Sequence, residues 1–307
     1  MPLHIIKSDL VSMATDAIVY DETPQPFSLF NFNPLMIHKT GKEILNTREA
    51  LKPIIIGQAK IAPASLLDCK YIIHTSAPAW HGGIYHELSQ LITCYERVFE
   101  LATEHGCKTI AMSIIATDKL GYPKALSQKT AMECISEFLQ LHNDVDVTLV
   151  LPGKTGIMLP GNQFTNVNMY LNKNYVKGKE ETDSSSQTEA NNSFDKNNAF
   201  PAKLAGYINS SLLSEADLCF RANITPAKLA DILHNQTSVP AKSTVTALAM
   251  ALELPLNELK EFLATAGYGL SKHNRFDLII EYCISQKMYN IFDVNQILFR
   301  FEQELLG

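Results

Sequence analysis

The sequence predicts an α/β domain built on a mixed sheet, followed by a separate all-helical bundle. Three observations carry this. Strand-like and helix-like segments alternate over residues 1–175. A polar run, KGKEETDSSSQTEANNSFDKNNA at 177–199, then breaks the pattern, with Phe194 its only large apolar residue. Residues 201–307 carry only helical patterns. The division read from this is 1–175, a linker over 176–200, and 201–307. The linker cannot bury enough surface to offset the entropy of ordering it, so it is expected to be flexible.

In the first segment, LHII (3–6), AIVY (17–20), AKIA (59–62), YIIH (71–74), TIAMSII (109–115) and DVTLVL (146–151) read as short buried strands. ELSQLITCYERVFELATEHG (87–106) is the clearest helix. Its apolar positions Leu91, Cys94, Tyr95, Val98, Phe99, Leu101 and Ala102 recur near every 3.6 residues, and Gly106 is placed to end it. A second helix spans 124–142, with Ala131, Ile135, Phe138 and Leu139 on one face. In the last segment helices are expected at 202–213, 214–222, 225–233, 241–252, 256–266, 276–287 and 293–305. Ser214 with Asp217 forms a capping-box variant, Thr225 precedes a first-turn proline, and Pro255 separates two helices.

The bulk numbers narrow the function classes. The chain has 307 residues, a net charge of −6 and 46% hydrophobic residues, as ordinary soluble domains do. That balance gives no global pull toward nucleic acid or anionic lipid. Six cysteines, widely spaced and without a CxxC pair, read as reduced buried thiols. No apolar run approaches the ~18 residues of a membrane span, and the N-terminus lacks the apolar stretch of a leader, so the expected location is the cytoplasm with no membrane partner. No metal site is expected: His74, His81 and His86 near Trp80 and Glu87 read as a core strand residue and a loop. Cys107, at a helix C-terminus, is a poor nucleophile there because the dipole disfavours the thiolate. No GxSxG, HExxH or Walker A pattern occurs, and no cofactor is implied.

One stretch raises the functional question. IIATDKLGYP (114–123) lies between a strand and a helix, where backbone N–H groups and the helix dipole favour an anion. Such a turn wants glycine at the closest approach, yet Asp118 stands there.

Four blocks, IIKSDLVSMATDAIV (5–19), GQAKIAPASLLDCKYIIHTSAPAWHGG (57–83), CYERVFELATEHGCKTIAMSIIATDKLGYP (94–123) and AMECISEFL (131–139), resemble in order and spacing the macrodomain family. The resemblance spans nearly all of 1–155 and implies a three-layer α/β/α fold that binds ADP-ribose. In some members it also implies hydrolysis of ADP-ribosyl linkages. Carried over residue by residue, it implies that Asp9, followed by Leu10, accepts from the adenine amine. Asp9 read by itself caps a turn, and both roles can hold.

Other positions depart from the family pattern. Where the family has Asn-Ala-Ala-Asn, this chain has Tyr20, Asp21, Glu22 and Thr23, so Thr23 replaces the asparagine tied to the distal ribose and to hydrolysis. The glycine-rich loop that follows is replaced by PQPFSLFNFNP (24–34), which has no glycine. The second ligand loop becomes Ala116, Thr117, Asp118, Lys119, Leu120 and Gly121: Gly121 is kept, Asp118 replaces a glycine and Leu120 an aromatic. A carboxylate facing a diphosphate is repulsive, and Lys119 can offset it only in part. After the last strand, LPGKTG replaces the aromatic adenine-side segment.

The expected function is therefore a binding or interaction module with weak or altered ADP-ribose-type recognition and no catalysis. Two alternatives stay open: an ADP-ribosyl hydrolase in which Asp118 or Asp21 positions water, and a ligand-sensing transcriptional regulator.

Residues 225–271 resemble the five-helix DNA-binding domains of phage-repressor type, with VPAKSTVTALAMALELPLNEL (239–259) fitting best. The segment from Ala266 onward resembles the helical tail of a class of bacterial macrodomain proteins. Residues 200–307 hold nine Lys and Arg against eleven Asp and Glu, without the basic stripe a DNA reader carries. A protein partner or homodimer through these helices is expected ahead of DNA.

Overall fold

The computed structural model describes residues 3–22, 47, 50–51, 53–64, 66–116, 120–153, 156–176, 199–234 and 239–307. These divide into two compact units, Leu3–Met158 and Leu159–Gly307. The polar run at 177–198 lies outside the described residues.

The first unit is built on six strands: β1 (Leu3–Lys7), β2 (Ala17–Glu22), β3 (Ala59–Pro63), β4 (Tyr71–Ser76), β5 (Thr109–Met112) and β6 (Asp146–Leu151). Their order in the sheet is β1-β6-β5-β2-β4-β3. All neighbours run parallel except β3, which pairs antiparallel with β4 at the edge, so the sheet is mixed. Parallel strands buried on both faces need continuous apolar runs, and Ile18, Val19, Ile72, Ile73, Ile110 and Ala111 are essentially inaccessible to water. β5 is shorter than the run TIAMSII suggests. Its ladder ends at Met112, opposite Val19 on one side and Leu149 on the other, and the chain then leaves the sheet toward the turn.

Helices α1 (Glu87–Glu104) and α2 (Lys124–Leu141) pack on each other and cover one face, α1 over β3 and β4, α2 over β1 and β6. Phe99 and Phe138 stack between them at 4.1 Å. The predicted inward residues of α1 are buried except Leu101, which is half-buried. Gly106, at φ +67°, ends α1, with Cys107 N–H returning to the Ala102 carbonyl. On the other face, Val11, Ile18, Ala64, Cys69, Ile72, Ala111 and Val150 form a cluster flanked by Leu10 and Tyr20.

The second unit opens with α3 (Gln163–Asn174), which the sequence reading did not anticipate. The helices α4 (Ala199–Ser210), α5 (Glu215–Ala222), α6 (Pro226–His234), α7 (Lys242–Ala251), α8 (Leu256–Thr265), α9 (Arg275–Ser285) and α10 (Ile291–Arg300) follow. Helix α7 is buried from Ser243 to its end and forms the centre, touched by α5, α8 and α10. Its start, Lys242, pairs with buried Asp277 of α9 at 2.6 Å. Ser214 and Asp217 form a full capping box on α5, and the Thr225 hydroxyl accepts from Lys228 N–H at the start of α6. The last residues are held too: Asn295 both accepts from and donates to the Leu306 backbone, at 2.8 and 3.0 Å. Among the described residues no helix is long and apolar enough to cross a membrane.

Candidate functional site

In parallel α/β sheets ligands collect at the carboxyl ends of the strands, where loops diverge. Here that lip is formed by the ends of β1, β2, β4 and β5. β1 runs into Asp9, which caps a single 3-10 turn at Leu10–Ser12 through Oδ1, 2.9 Å from Val11 N. Leu10 lies in that turn and packs against the apolar cluster beneath it. The capping role read from the sequence is thus the one the fold displays, and it uses one of the two carboxylate oxygens.

β2 ends in Tyr20, Asp21 and Glu22, whose side chains alternate across the sheet. Tyr20 is half-buried and meets the His74 ring edge-on at 6.0 Å. Glu22 is buried, and its Oε1 lies 2.9 Å from Nδ1 of fully buried His74 on β4. A buried carboxylate needs such a partner. Asp21, on the opposite side, accepts from Ala116 N–H through Oδ2 at 2.9 Å.

β5 continues through Ile114 and Ile115 to Ala116, which is fully buried and sits at φ +60°. An L-residue in that region is strained and persists only where its surroundings impose it. The preceding amide is occupied as well: Ile115 N–H donates to the Tyr95 hydroxyl at 3.0 Å. Thr117, Asp118 and Lys119 lie outside the described residues, as do Thr23 and the stretch 24–34. Leu120 is buried, and its carbonyl accepts from Trp80 N–H at 2.8 Å. Gly121 follows at φ +71°. A Cβ there would meet only the Trp80 carbonyl, at 3.9 Å, so the backbone conformation rather than space calls for glycine.

The loop between β4 and α1 completes the rim. Buried Glu87 accepts from His81 N–H and Tyr85 N–H, each at 2.8 Å; burial raises its carboxyl, and backbone amides, its own first and then these two, together hold it below the usual range. The Tyr122 hydroxyl donates to the Glu87 carbonyl and packs on Trp80 at 5.0 Å. Burial, and then the charges of Glu87, Cys94 and Asp21, push that hydroxyl well above its ordinary value. Glu87 thus organises the loop. Among the described residues no group of three or more His, Cys, Asp or Glu is placed to hold a metal. Cys107 has a raised pKa, chiefly from burial and then from the Asp16 charge. The six cysteines are all free thiols.

Of the sequence-predicted residues, the structure thus brings Tyr20, Ala116, Leu120 and Gly121 to one lip, with Asp9 and Leu10 at the end of β1. The Asp21–Ala116 contact is not visible in the sequence, because it joins residues 95 positions apart. The only hint is a pair of carboxylates, Asp21 and Glu22, at the end of a strand that begins apolar.

The macro domain family profile matches residues 35–131. A macro domain-containing protein of Chlorobaculum tepidum is 33% identical over 137 residues, covering 45% of this chain and 80% of its own. An O-acetyl-ADP-ribose deacetylase of Citrobacter rodentium is 32% identical over 141 residues, covering 45% of this chain and 80% of its own. A solved Oceanobacillus iheyensis macrodomain with ADP is 24% identical, with a TM-score of 0.43, covering 50% of this chain and 84% of that one.

Proposed function

The chain belongs to the macro domain family, and from that premise we propose that its first unit is a nucleotide-binding module of ADP-ribose type, with weak or altered recognition and no catalysis. The observation that carries this reading is Leu120. The resemblance puts a ligand-facing aromatic at this position. Here the side chain is aliphatic and buried, and its carbonyl is tied to Trp80 N–H. Gly121 keeps its left-handed conformation, and the position before it gives up a stacking surface. Asp9 supports the nucleotide half of the reading, since its cap uses only Oδ1 and Oδ2 can accept from an exocyclic amine. The replacements Thr23 and Asp118 and the glycine-free stretch 24–34 support the weakening.

Isothermal titration of the full chain with ADP-ribose tests it. A dissociation constant in the high-micromolar range or weaker is the expected result. Low-micromolar or tighter binding overturns it. The hydrolase alternative is motivated by the deacetylases among the relatives. Acetate release from O-acetyl-ADP-ribose above the uncatalysed rate, abolished by Asp118→Ala, would establish it in place of the binding module.

For the second unit we infer a helix-turn-helix-like bundle that binds a protein partner or a second copy of the chain. Support for the motif comes from α5 and α6, joined by only Asn223, Ile224 and Thr225, with Asn223 at φ +55°. Support for a protein rather than DNA partner comes from its cations, which are largely engaged internally. Ligand-responsive, salt-dependent DNA binding would favour the regulator instead.

A further inference from the structure

We propose that the exit of α3 and the start of α9 form a docking surface for an acidic peptide segment of a partner protein. The proposal rests on the protein-partner reading of the second unit, and adds where the partner sits and what charge it carries.

The surface is assembled from two segments far apart in sequence. Val176 N–H donates to the Lys272 carbonyl at 3.1 Å, and the His273 ring donates through Nδ1 to the Val176 carbonyl at 2.8 Å. The Arg275 guanidinium lies 5.6 Å from the centre of the Tyr175 ring. Lys173 stands in the last turn of α3, just before that tyrosine. Lys173, Lys272 and Arg275 are thus gathered around one crossing of the chain, and all three are exposed.

What marks this patch is the lack of countercharge. Residues 159–176 contain no Asp or Glu, and between Thr265 and Ile280 only Asp277 occurs. That carboxylate is buried and is taken by Lys242 and by Ser271 N–H. Arg221, Lys242 and Lys260 of the same unit each face a carboxylate; among the described residues Lys173, Lys272 and Arg275 do not. In a chain of net charge −6, neighbouring cations left in this state make a local field that attracts an anion.

The kind of anion follows from the donors. Asn274 Oδ1 already accepts from Phe276 N–H and Asp277 N–H, at 2.8 and 3.4 Å, so the start of α9 has spent amides that a compact phosphate would use. A nucleic acid would want about 6–10 phosphate contacts, more than this patch supplies. What it does supply is a planar fork stacked on Tyr175, suited to a carboxylate, and two flexible ammonium groups. Val176, 50% exposed, adds an apolar contact beside them. A short extended segment with several carboxylates matches that spread.

The test is fluorescence anisotropy of the full chain with a labelled tetraglutamate peptide at about 50 mM salt, where surface charges are weakly screened. The wild type binds saturably, and Lys272→Glu and Arg275→Glu each weaken binding about fivefold or more. Lys129→Glu, an exposed lysine of the first unit, changes it less than about twofold. No saturable binding by the wild type overturns the proposal, and so does equal weakening by Lys129→Glu, which would show a response to net charge alone. Self-association in sedimentation that Lys272→Glu abolishes assigns the patch to a second copy and overturns it too. If circular dichroism shows Arg275→Glu unfolded, Lys272→Glu decides alone. Saturable binding of a short DNA duplex overturns the protein-partner reading itself, whereas loss of peptide binding without duplex binding removes only this surface, so the two failures are separable.

Discussion

Asp16 works at the opposite end of the sheet from Asp21 and in a different currency of interactions. Its Oδ2 accepts from Lys108 N–H and Thr109 N–H at 2.8 and 3.0 Å, its Oδ1 pairs with the Lys70 ammonium at 2.6 Å, and its carbonyl accepts from Lys70 and Tyr71 N–H. One residue thus gathers the starts of β2, β4 and β5. Lys70 first, and then these amides, pull its carboxyl down from 3.8 to about 2. A carboxyl depressed on folding stabilises the protein above its unfolded pKa, and that stability is lost as pH falls through the folded one. The contribution is about 2 kcal/mol at neutral pH, somewhat less once the screening of exposed Lys70 is counted. Asp16→Asn should therefore be destabilised at pH 5–7 by about that amount in urea unfolding, and should converge on the wild type as pH falls from about 4 to about 2. A gap that stays constant to pH 2 would show that the charge is not the cause. None of this was legible in the sequence. Asp16 precedes an apolar strand as many polar residues do, and its partners lie 54 and 92 to 93 positions away.

At the scale of elements, legibility followed burial. The six strands could be read because parallel strands covered on both faces must be continuous apolar runs, and α1 because its stripe is wide. Helix α3 could not be read. Asn166, Asn168, Asn172 and Asn174 are mediocre helix formers, and only Val167 and Leu171, one turn apart, are buried. What holds the helix is tertiary packing: α3 lies on α9, Tyr170 meets Tyr282 edge-on at 5.5 Å, and Phe164 stacks on Phe301 at 5.0 Å beneath Arg300. After it, Val176 exchanges backbone contacts with Lys272 and the His273 ring. Leu171→Ala should cost about 2–4 kcal/mol, as buried leucine truncations do. Amide hydrogen exchange should then accelerate across Arg275–Ser285. Unchanged protection there would mean that α3 is only draped on α9, and that Leu171 is buried without supporting it.

For the whole molecule, the open choice is between a protein partner and DNA, and fold does not make that choice. The helix starts were legible: the Ser214–Asp217 box and the Thr225–Pro226 start appear in the structure as the sequence placed them. Their electrostatic setting was legible only as a count. The structure adds where the cations go. Arg221 pairs with Glu253, Lys242 with Asp277 and Lys260 with Glu281. Lys228 reaches the Gly307 carbonyl, while Lys203, Arg275 and Arg300 lie over Tyr207, Tyr175 and Phe164. Seven of the nine Lys and Arg of residues 200–307 are thus engaged within their own unit. A protein that makes 6–10 phosphate contacts loses about 10³–10⁵ in affinity between about 50 and 200 mM salt. This chain, at net charge −6, has few cations to spend on such contacts without breaking internal ones. Fluorescence anisotropy with a short labelled duplex should therefore show no saturable binding even at about 50 mM salt. Saturable binding with a steep salt slope would mean that Lys228 and its neighbours release their internal partners for phosphate, and it would move the second unit from a protein-binding bundle to a DNA reader.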